Sequence, residues 1–343
     1  MDTSKTVLVT GGAGFIGSHF VEMLFDRLPD HRIIVLDVFT YAASPDNIPE
    51  RIRESLRFEL VRGDIRDRAL VDELVAKAGY VVHFAAESHV SRSIADDRPF
   101  FETDVLGTQT VFSAISKNLV RVKRAVHIST SEVYGTAVYA PMDEDHPLNP
   151  CTPYAAAKAG ADRLVYAYRE TYGIPVVTIR PFNNYGPRQH IEKVVPRFIT
   201  AAILGEDLTV HGDGESSRDW VYVTDTCEAV YRALLTPNIE GNVINVGTGV
   251  DTSIRDVASR IRSFIATSGD AKSVPERPGQ VKRHISSVGR AFDLLGFYPR
   301  TPFSEGLLRT VEWYVSNPNW WRRLLGEREV GIEDAGRRLA GSW

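Results

Sequence analysis

The sequence predicts a doubly wound parallel α/β fold with a smaller, mixed α/β lobe towards the C-terminus. Three observations carry that expectation. Short β-branched runs alternate with helical patterns through the first half of the chain. A glycine-rich turn joins the first of these runs to the first helix. After about Arg180 the rhythm loosens, and Pro181, Pro187, Pro196 and turns such as Gly212-Asp213-Gly214 and Gly247-Thr248-Gly249 punctuate it. A βαβα alternation uses right-handed crossovers that place helices on both faces of one parallel sheet, and ligands then bind at the carboxyl ends of its strands.

Taken in order, the first strand is expected over residues 6–10 and leads into an amphipathic helix through Val21, Leu24 and Phe25. Further buried strands are expected over residues 32–36, 56–61, 80–84, 124–128 and 176–179, with helices at 101–117 and 155–172. Residues 242–246 read as one more strand returning to the main sheet. That gives a cofactor half over 1–180 plus the returning strand, and a discontinuous ligand-binding lobe over 181–330 with helices at 254–266 and 302–316. Past Trp320 the chain turns rich in Arg, Glu and Gly and reads as a short surface helix or a loose tail, with 331–343 as the tail proper.

Composition narrows the function classes. At 343 residues the chain is about twice the usual domain size, and 43% hydrophobic with 24% charged residues excludes a wholly disordered chain. With 40 Lys+Arg against 44 Asp+Glu, net charge is −4, which gives no electrostatic footprint for nucleic acid or an anionic membrane. Cys151 and Cys227 make neither a disulfide framework nor a zinc motif, as suits a reduced, cytoplasmic protein with structural cysteines. The nine histidines show no H-E-x-x-H or H-x-x-H spacing, so no metal is expected. Neither a secretory leader nor an apolar run near the roughly 20 residues of a membrane span is seen.

The first strand runs into Gly11-Gly12-Ala13-Gly14-Phe15-Ile16-Gly17, with G-x-G-x-x-G spacing at Gly12, Gly14 and Gly17. Glycines suit that turn because a Cβ would block the approach of a pyrophosphate to the amides of a helix N-terminus. The second strand ends in Asp37, twenty residues past Gly17, where an acid accepts hydrogen bonds from ribose hydroxyls and repels a 2′-phosphate. No Arg or Lys follows Asp37 within three residues, so this Rossmann-type turn favours NAD over NADP. Asp64, after the next strand, either meets the adenine amino group or caps the following helix.

Tyr154 and Lys158, four apart on a helix opened by Pro153, project from one face. An ammonium beside a phenol lowers its pKa and makes a base for a hydroxyl proton. Upstream, Ser129-Thr130-Ser131-Glu132 gathers hydroxyls and a carboxylate at a strand's C-terminal end.

On these motifs the sequence resembles the extended short-chain dehydrogenase/reductase family, over roughly residues 5–320, and within it the nucleotide-sugar 4,6-dehydratases, decarboxylases and 4-epimerases. Local stretches are most similar to dTDP-glucose 4,6-dehydratases: residues 36–42, Ala85-Ala86-Glu87-Ser88-His89-Val90-Ser91-Arg92-Ser93, Asn183-Asn184-Tyr185-Gly186-Pro187, Glu192-Lys193, Arg218-Asp219-Trp220, Arg277-Pro278-Gly279 and residues 310–314. The resemblance implies NAD contacts from Gly11, Gly14, Phe15, Ile16, Gly17, Asp37, Asp64, Ile65, Ala85 and Ala86, with Tyr154 and Lys158. For a nucleotide-diphosphate sugar it implies Asn183, Arg218 and Asn245, with Lys193 close by, Arg283 near the pyrophosphate or sugar, and Ser88 and His89 on a substrate loop. His89 and His190 flank substrate loops, but a solvated loop histidine is the preferred reading for each. A homodimer through the helices at 101–117 and 155–172 is implied as well.

The resemblance also implies a mechanism. Tyr154 takes the C4 hydroxyl proton as NAD+ removes the hydride, with Thr130 on the same oxygen; Glu132 then removes the acidified C5 proton, water leaves from C6, and the hydride returns there. Where dTDP-glucose enzymes carry Thr-Asp-Glu, this chain reads Thr130-Ser131-Glu132, and a serine hydroxyl is too weak an acid to replace the Asp. Ser91 likewise stands where those enzymes usually have Asp. Dehydration with Glu132 handling both transfers is the first expectation. A UDP-glucuronate decarboxylase, which needs no acid for a leaving hydroxyl, is the alternative, followed by a 4-epimerase and a non-catalytic NAD-binding module.

Overall fold

Runs of β-branched residues buried on both faces pair in parallel to form the spine of the molecule. In the computed structural model, which describes residues 3–276 and 278–327, these runs are β1 (Thr6–Thr10), β2 (Arg32–Asp37), β3 (Phe58–Arg62), β4 (Tyr80–His83), β5 (Arg124–Ile128) and β6 (Val176–Pro181). A shorter strand, β7 (Asn183–Tyr185), follows, then β8 (Leu208–His211), β9 (Ser217–Tyr222), β10 (Val243–Val246), β11 (Asp251–Ser253) and β12 (Ala271–Val274). The main sheet has the order β10-β6-β5-β4-β1-β2-β3, and every pairing in it is parallel. This is the Rossmann-type doubly wound sheet that the alternation predicts.

Alternate residues feed opposite layers, as the two-residue period of a strand requires. Val7, Val9, Ile33 and Val35 pack with Phe20 and Leu24 on one side. Leu8, Ile34 and Leu36 pack with Val71, Phe112 and Ile115 on the other. Chain order reverses direction at β1, which has β2 on one side and β4 on the other. The crevice beyond the carboxyl ends of β1 and β4 is where such sheets bind ligands.

Several boundaries differ from the sequence expectation for local reasons. The strand expected at 56–61 starts at Phe58, because Leu56 lies fully exposed in the preceding turn. The helix expected over 101–117 starts at Arg98 and passes through a π-helical stretch, Phe101–Gly107, before its α-helical part, Thr108–Ser116. Such a bulge is common near functional sites, and here it carries the buried Asp104, whose Oδ1 accepts from the Glu87 amide at 2.7 Å. The helix Pro153–Tyr172 begins as predicted at Pro153, with Thr152 as its cap, and stops at Gly173, which has a φ of 69°.

β7, β9 and β11 form one small sheet, and β8 with β12 another. Phe198, Trp220, Leu307, Tyr314 and Trp321 fill the core beneath them. Past Trp320, where a surface helix or loose tail is expected, the chain completes the helix Pro318–Arg322, seated by the fully buried Trp321. Its neighbour Trp320 donates through Nε1 to Asn47 Oδ1 at 3.0 Å, and Asn47 Nδ2 donates to the Ala13 carbonyl at 2.8 Å. The predicted tail at 331–343 lies outside the described residues. Among the described residues no helix is long and apolar enough to cross a membrane.

Candidate active site

At the end of β1, Gly11 adopts a φ of +69°, and a Cβ there would sit 2.5 Å from the Ala85 amide nitrogen. A Cβ on Gly17 would sit 2.2 Å from the Gly11 carbonyl oxygen, so the turn and the first turn of the helix Phe15–Arg27 close only with glycine. Gly14 caps that helix without a side-chain bond, which leaves its leading amides directed at the crevice. Asp37, ending β2, accepts from the Ala13 amide at 3.0 Å and the Phe39 amide at 2.9 Å. Burial pushes its carboxyl up, and the amides pull it back. This cradle, with an acid at the end of the second strand, fits a dinucleotide with free ribose hydroxyls.

Asp64 lines the crevice with its oxygens engaged by Arg66: the Arg66 amide donates at 2.8 Å and the guanidinium at 2.7 Å. Burial raises its pKa, but the Arg66 contacts more than reverse that. Asp64 therefore does not cap the next helix; Asp67 does, accepting from Ala69 and Leu70.

The residues after β5 converge with the helix Pro153–Tyr172. Thr130 Oγ1 accepts from the Glu132 amide at 3.2 Å and opens the short turn Ser131–Tyr134. The Tyr154 hydroxyl is hydrogen-bonded to Thr130. Buried Lys158 donates to the Ile128 carbonyl at 2.8 Å. In this state Tyr154 is not the acidic phenol that the Tyr/Lys spacing predicts. Burial pushes it well above the ordinary value and the Asp104 and Glu132 carboxylates add to that, against the Thr130 bond. Lys158 is lowered by burial despite Asp104 and Asp162. Asp104 is pushed up to about 7, by burial above all.

One cavity of about 550 Å³ joins these parts. Its walls include the glycine turn, Asp37, Asp64, Ile65, Ala85, Ala86, Ser88, His89, Thr130, Glu132, Tyr154, Lys158, Asn183, Lys193 and Arg218. Three expected site residues are not in its wall. Asn245 is buried at the end of β10, accepting from Tyr134 Oη at 2.7 Å and donating to the Met142 carbonyl at 3.1 Å. Arg283 is half-exposed and paired with Asp251 at 2.8 Å. Ser131, between two wall residues, is 2% exposed and turns its hydroxyl to His284. Arg277 lies outside the described residues. His89 is buried and caps the helix Val90–Ala95, and His190 is also buried, so neither is a solvated loop histidine.

Asn183, expected at the substrate, is joined in the wall by Asn184, Gln189 and Glu192, to which sequence reasoning gave no role of their own. Each of the four presents a buried acceptor oxygen with no hydrogen-bond partner among the described residues. Arg92 Nε donates to the other Glu192 oxygen at 3.1 Å, and Arg92 lies 3.8 Å over the Tyr41 ring. Glu87 also lines the cavity, its carboxyl raised by burial. The quoted stretches at 85–93, 183–187 and 192–193 contained Glu87, Asn184 and Glu192. Nothing in spacing or pattern signals His284 or Asp104.

A parallel sheet with a glycine turn at its switch point, followed by Thr130 after β5 and a Tyr/Lys pair on the next helix, defines an extended short-chain dehydrogenase/reductase. Comparison narrows the class: the chain belongs to the GDP-mannose 4,6 dehydratase family, whose model matches residues 8–310. It is 45% identical over 312 residues to the low-salt glycan biosynthesis protein Agl12 of Haloferax volcanii, covering 91% of this chain and 99% of that one. It is 41% identical to the dTDP-glucose 4,6-dehydratase of Streptomyces niveus, covering 96% and 99%. The crystal structure of DesIV, a dTDP-glucose 4,6-dehydratase from Streptomyces venezuelae with NAD bound, superposes with a TM-score of 0.89 at 40% identity, covering 93% of this chain and 99% of that one. A UDP-glucuronic acid 4-epimerase from Bacillus cereus gives 0.85 at 30% identity, covering 91% and 99%.

Proposed function

We propose that this chain is an NAD-dependent nucleotide-diphospho-hexose 4,6-dehydratase. The observation that carries the reading is the continuity of one cavity. A dinucleotide cradle, Thr130, Glu132, Tyr154 and Lys158, and a ring of orphaned acceptors from Asn183 to Glu192 share its walls. Buried acceptors without donors lose solvation for nothing in return, and the hydroxyls of a sugar are the donors they lack. Gly11, Gly14, Phe15, Ile16 and Gly17 would receive the cofactor pyrophosphate, and Asp37 the adenosine ribose. NAD bound there would supply a reversible hydride acceptor for the C4 oxidation and the reduction at C6.

The chain's own groups handle the protons. Tyr154 takes the C4 hydroxyl proton while Thr130 holds the same oxygen, and Lys158, one turn along the same helix, lies buried with its ammonium on the Ile128 carbonyl. The resulting C4 ketone acidifies the C5 hydrogen, which the Glu132 carboxylate removes. Lys193 and Arg218 line the far end and are suited to the diphosphate. Phe101, Leu106, Tyr166 and Tyr172 are exposed on the helices at 98–116 and 153–172, and we assign that surface to a second copy in a cytoplasmic homodimer.

The withdrawal of Ser131 from the wall favours a second reading, decarboxylation of UDP-glucuronate, which needs no acid at C6. Mass spectrometry separates the two. Loss of water from dTDP-glucose, UDP-glucose or GDP-mannose establishes the dehydratase, and loss of CO2 from UDP-glucuronate replaces it. With the active substrate, Tyr154→Phe should cut turnover about a thousandfold without releasing bound NAD; unchanged turnover would remove Tyr154 from the mechanism.

A further inference from the structure

Elimination of a C6 hydroxyl as water needs a proton on the departing oxygen, and the position between Thr130 and Glu132 holds a serine instead of a carboxylic acid. That serine is not isolated. Its Oγ lies 3.4 Å from His284 Nδ1, and the other ring nitrogen, Nε2, is hydrogen-bonded to the Gly135 carbonyl at 2.6 Å. A carbonyl only accepts, so Nε2 carries a hydrogen, and the neutral ring offers Nδ1 to the serine hydroxyl. His284 is fully buried against the Phe182 ring, with centroids 6.0 Å apart, and its Nδ1 faces Ser131, which sits between the wall residues Thr130 and Glu132.

We propose that Ser131 and His284 together supply the C6 proton, with His284 acting through the serine hydroxyl as a positioned proton store. The inference rests on the dehydratase reading above. In the elimination the C5–H bond breaks and its proton goes to the Glu132 carboxylate, while its electrons form the C5=C6 double bond. The C6–O bond breaks with its pair on oxygen, and that oxygen takes the Ser131 hydroxyl proton through one bridging water, because Ser131 itself lies just behind the wall. Nδ1–H of the His284 imidazolium refills the serine, and the ring ends neutral, still donating to Gly135. Tyr154 gains one proton from the C4 hydroxyl as His284 loses one, and exchange with solvent water resets both. Apo hydrogen bonds in such relays are commonly long and tighten with substrate.

The groups facing the ring set the direction of its pH dependence. Burial lowers its proton affinity, and Arg218 and His146 act the same way, whereas the Glu132 carboxylate and the Gly135 carbonyl oppose them. The charged ring is therefore populated below the ordinary histidine range, and water loss should accelerate as pH falls from neutral into the acid range.

The test uses the whole chain in deuterated buffer with the substrate that the parent dehydrates. His284→Gln and Ser131→Ala should each slow water loss about a hundredfold and lose the acid-side acceleration. Recovered substrate should still gain one deuterium at C5, because Tyr154 and Glu132 are intact. Adding Ser131→Asp to His284→Gln, which places a carboxylic acid where the relay delivers its proton, should restore at least tenfold. Water loss within threefold of the parent in both single variants overturns the pair. So does loss of C5 exchange without rescue, which would make His284 a packing residue. A parent that releases CO2, or no water from any hexose, overturns the dehydratase reading itself, a result independent of the variants.

Discussion

At the end of the cavity proposed for the cofactor the wall is backbone held in fixed shapes, whereas at the end proposed for the sugar it is charged and polar side chains that hold one another. Gly11 and Gly17 leave no room for a Cβ, and the Ala13 amide is pinned on Asp37. Across the cavity, Arg92 reaches Glu192, Lys193 donates to the Ser88 carbonyl, and the buried oxygens of Asn183, Asn184, Gln189 and Glu192 have no donor among the described residues. The first end is a shape that one methyl group destroys. The second is a balance of charges that individual substitutions retune, and so chemistry can drift there while the cofactor stays the same.

The largest effect should therefore follow the smallest change. Gly17→Ala places a methyl group 2.2 Å from the Gly11 carbonyl oxygen, and we expect at least a hundredfold loss of NAD affinity with the fold retained. Chromatography of cofactor released from the purified variant, beside its circular dichroism, checks this; full NAD occupancy would show that the turn adapts. On the other side, Arg218→Lys keeps the charge but loses the planar fork. It should raise KM about tenfold, or roughly 1.4 kcal/mol, with NAD content unchanged. A KM within twofold of the parent would assign Arg218 to packing.

The smallest effect sharpens the border between the two ends, at Asp104. Its folded pKa of about 7 lies above the ordinary carboxylate value, so the folded chain binds the extra proton and stability falls as pH rises from about 4 to 7. Asp104→Asn keeps an acceptor for the Glu87 amide and removes the titration. Urea unfolding at pH 5 and pH 8 should show a smaller loss for the variant than for the parent. Equal slopes would place the pH dependence elsewhere.

How much was legible in the sequence follows the same border. The alternation of strands and helices at the cofactor end rests on short β-branched runs and on glycines whose spacing has one stereochemical use, and both survive in the primary structure. Tyr154 and Lys158 were legible because helix pitch relates them locally, and Pro153 marks where that helix starts. Asn245 and Arg283 were expected at the ligand and lie elsewhere: their partners, Tyr134 and Asp251, stand 111 and 32 residues away, and no local pattern reports such pairings. The π-helical stretch that turns Asp104 inward has no compositional mark. Ser131 was visible as a departure, but its partner was not, because 153 residues separate it from His284.

The bonds from Trp320 to Asn47 and from Asn47 to Ala13 have a consequence for the order of assembly. Synthesis delivers the glycine turn well before Trp320. While the ribosome still holds Trp320, the loop at residues 44–48 lacks the indole that braces it. The brace on the glycine turn is therefore set only once Trp320 has folded back, and a message truncated before codon 320 would yield a sheet whose most recognisable motif is present but unbraced.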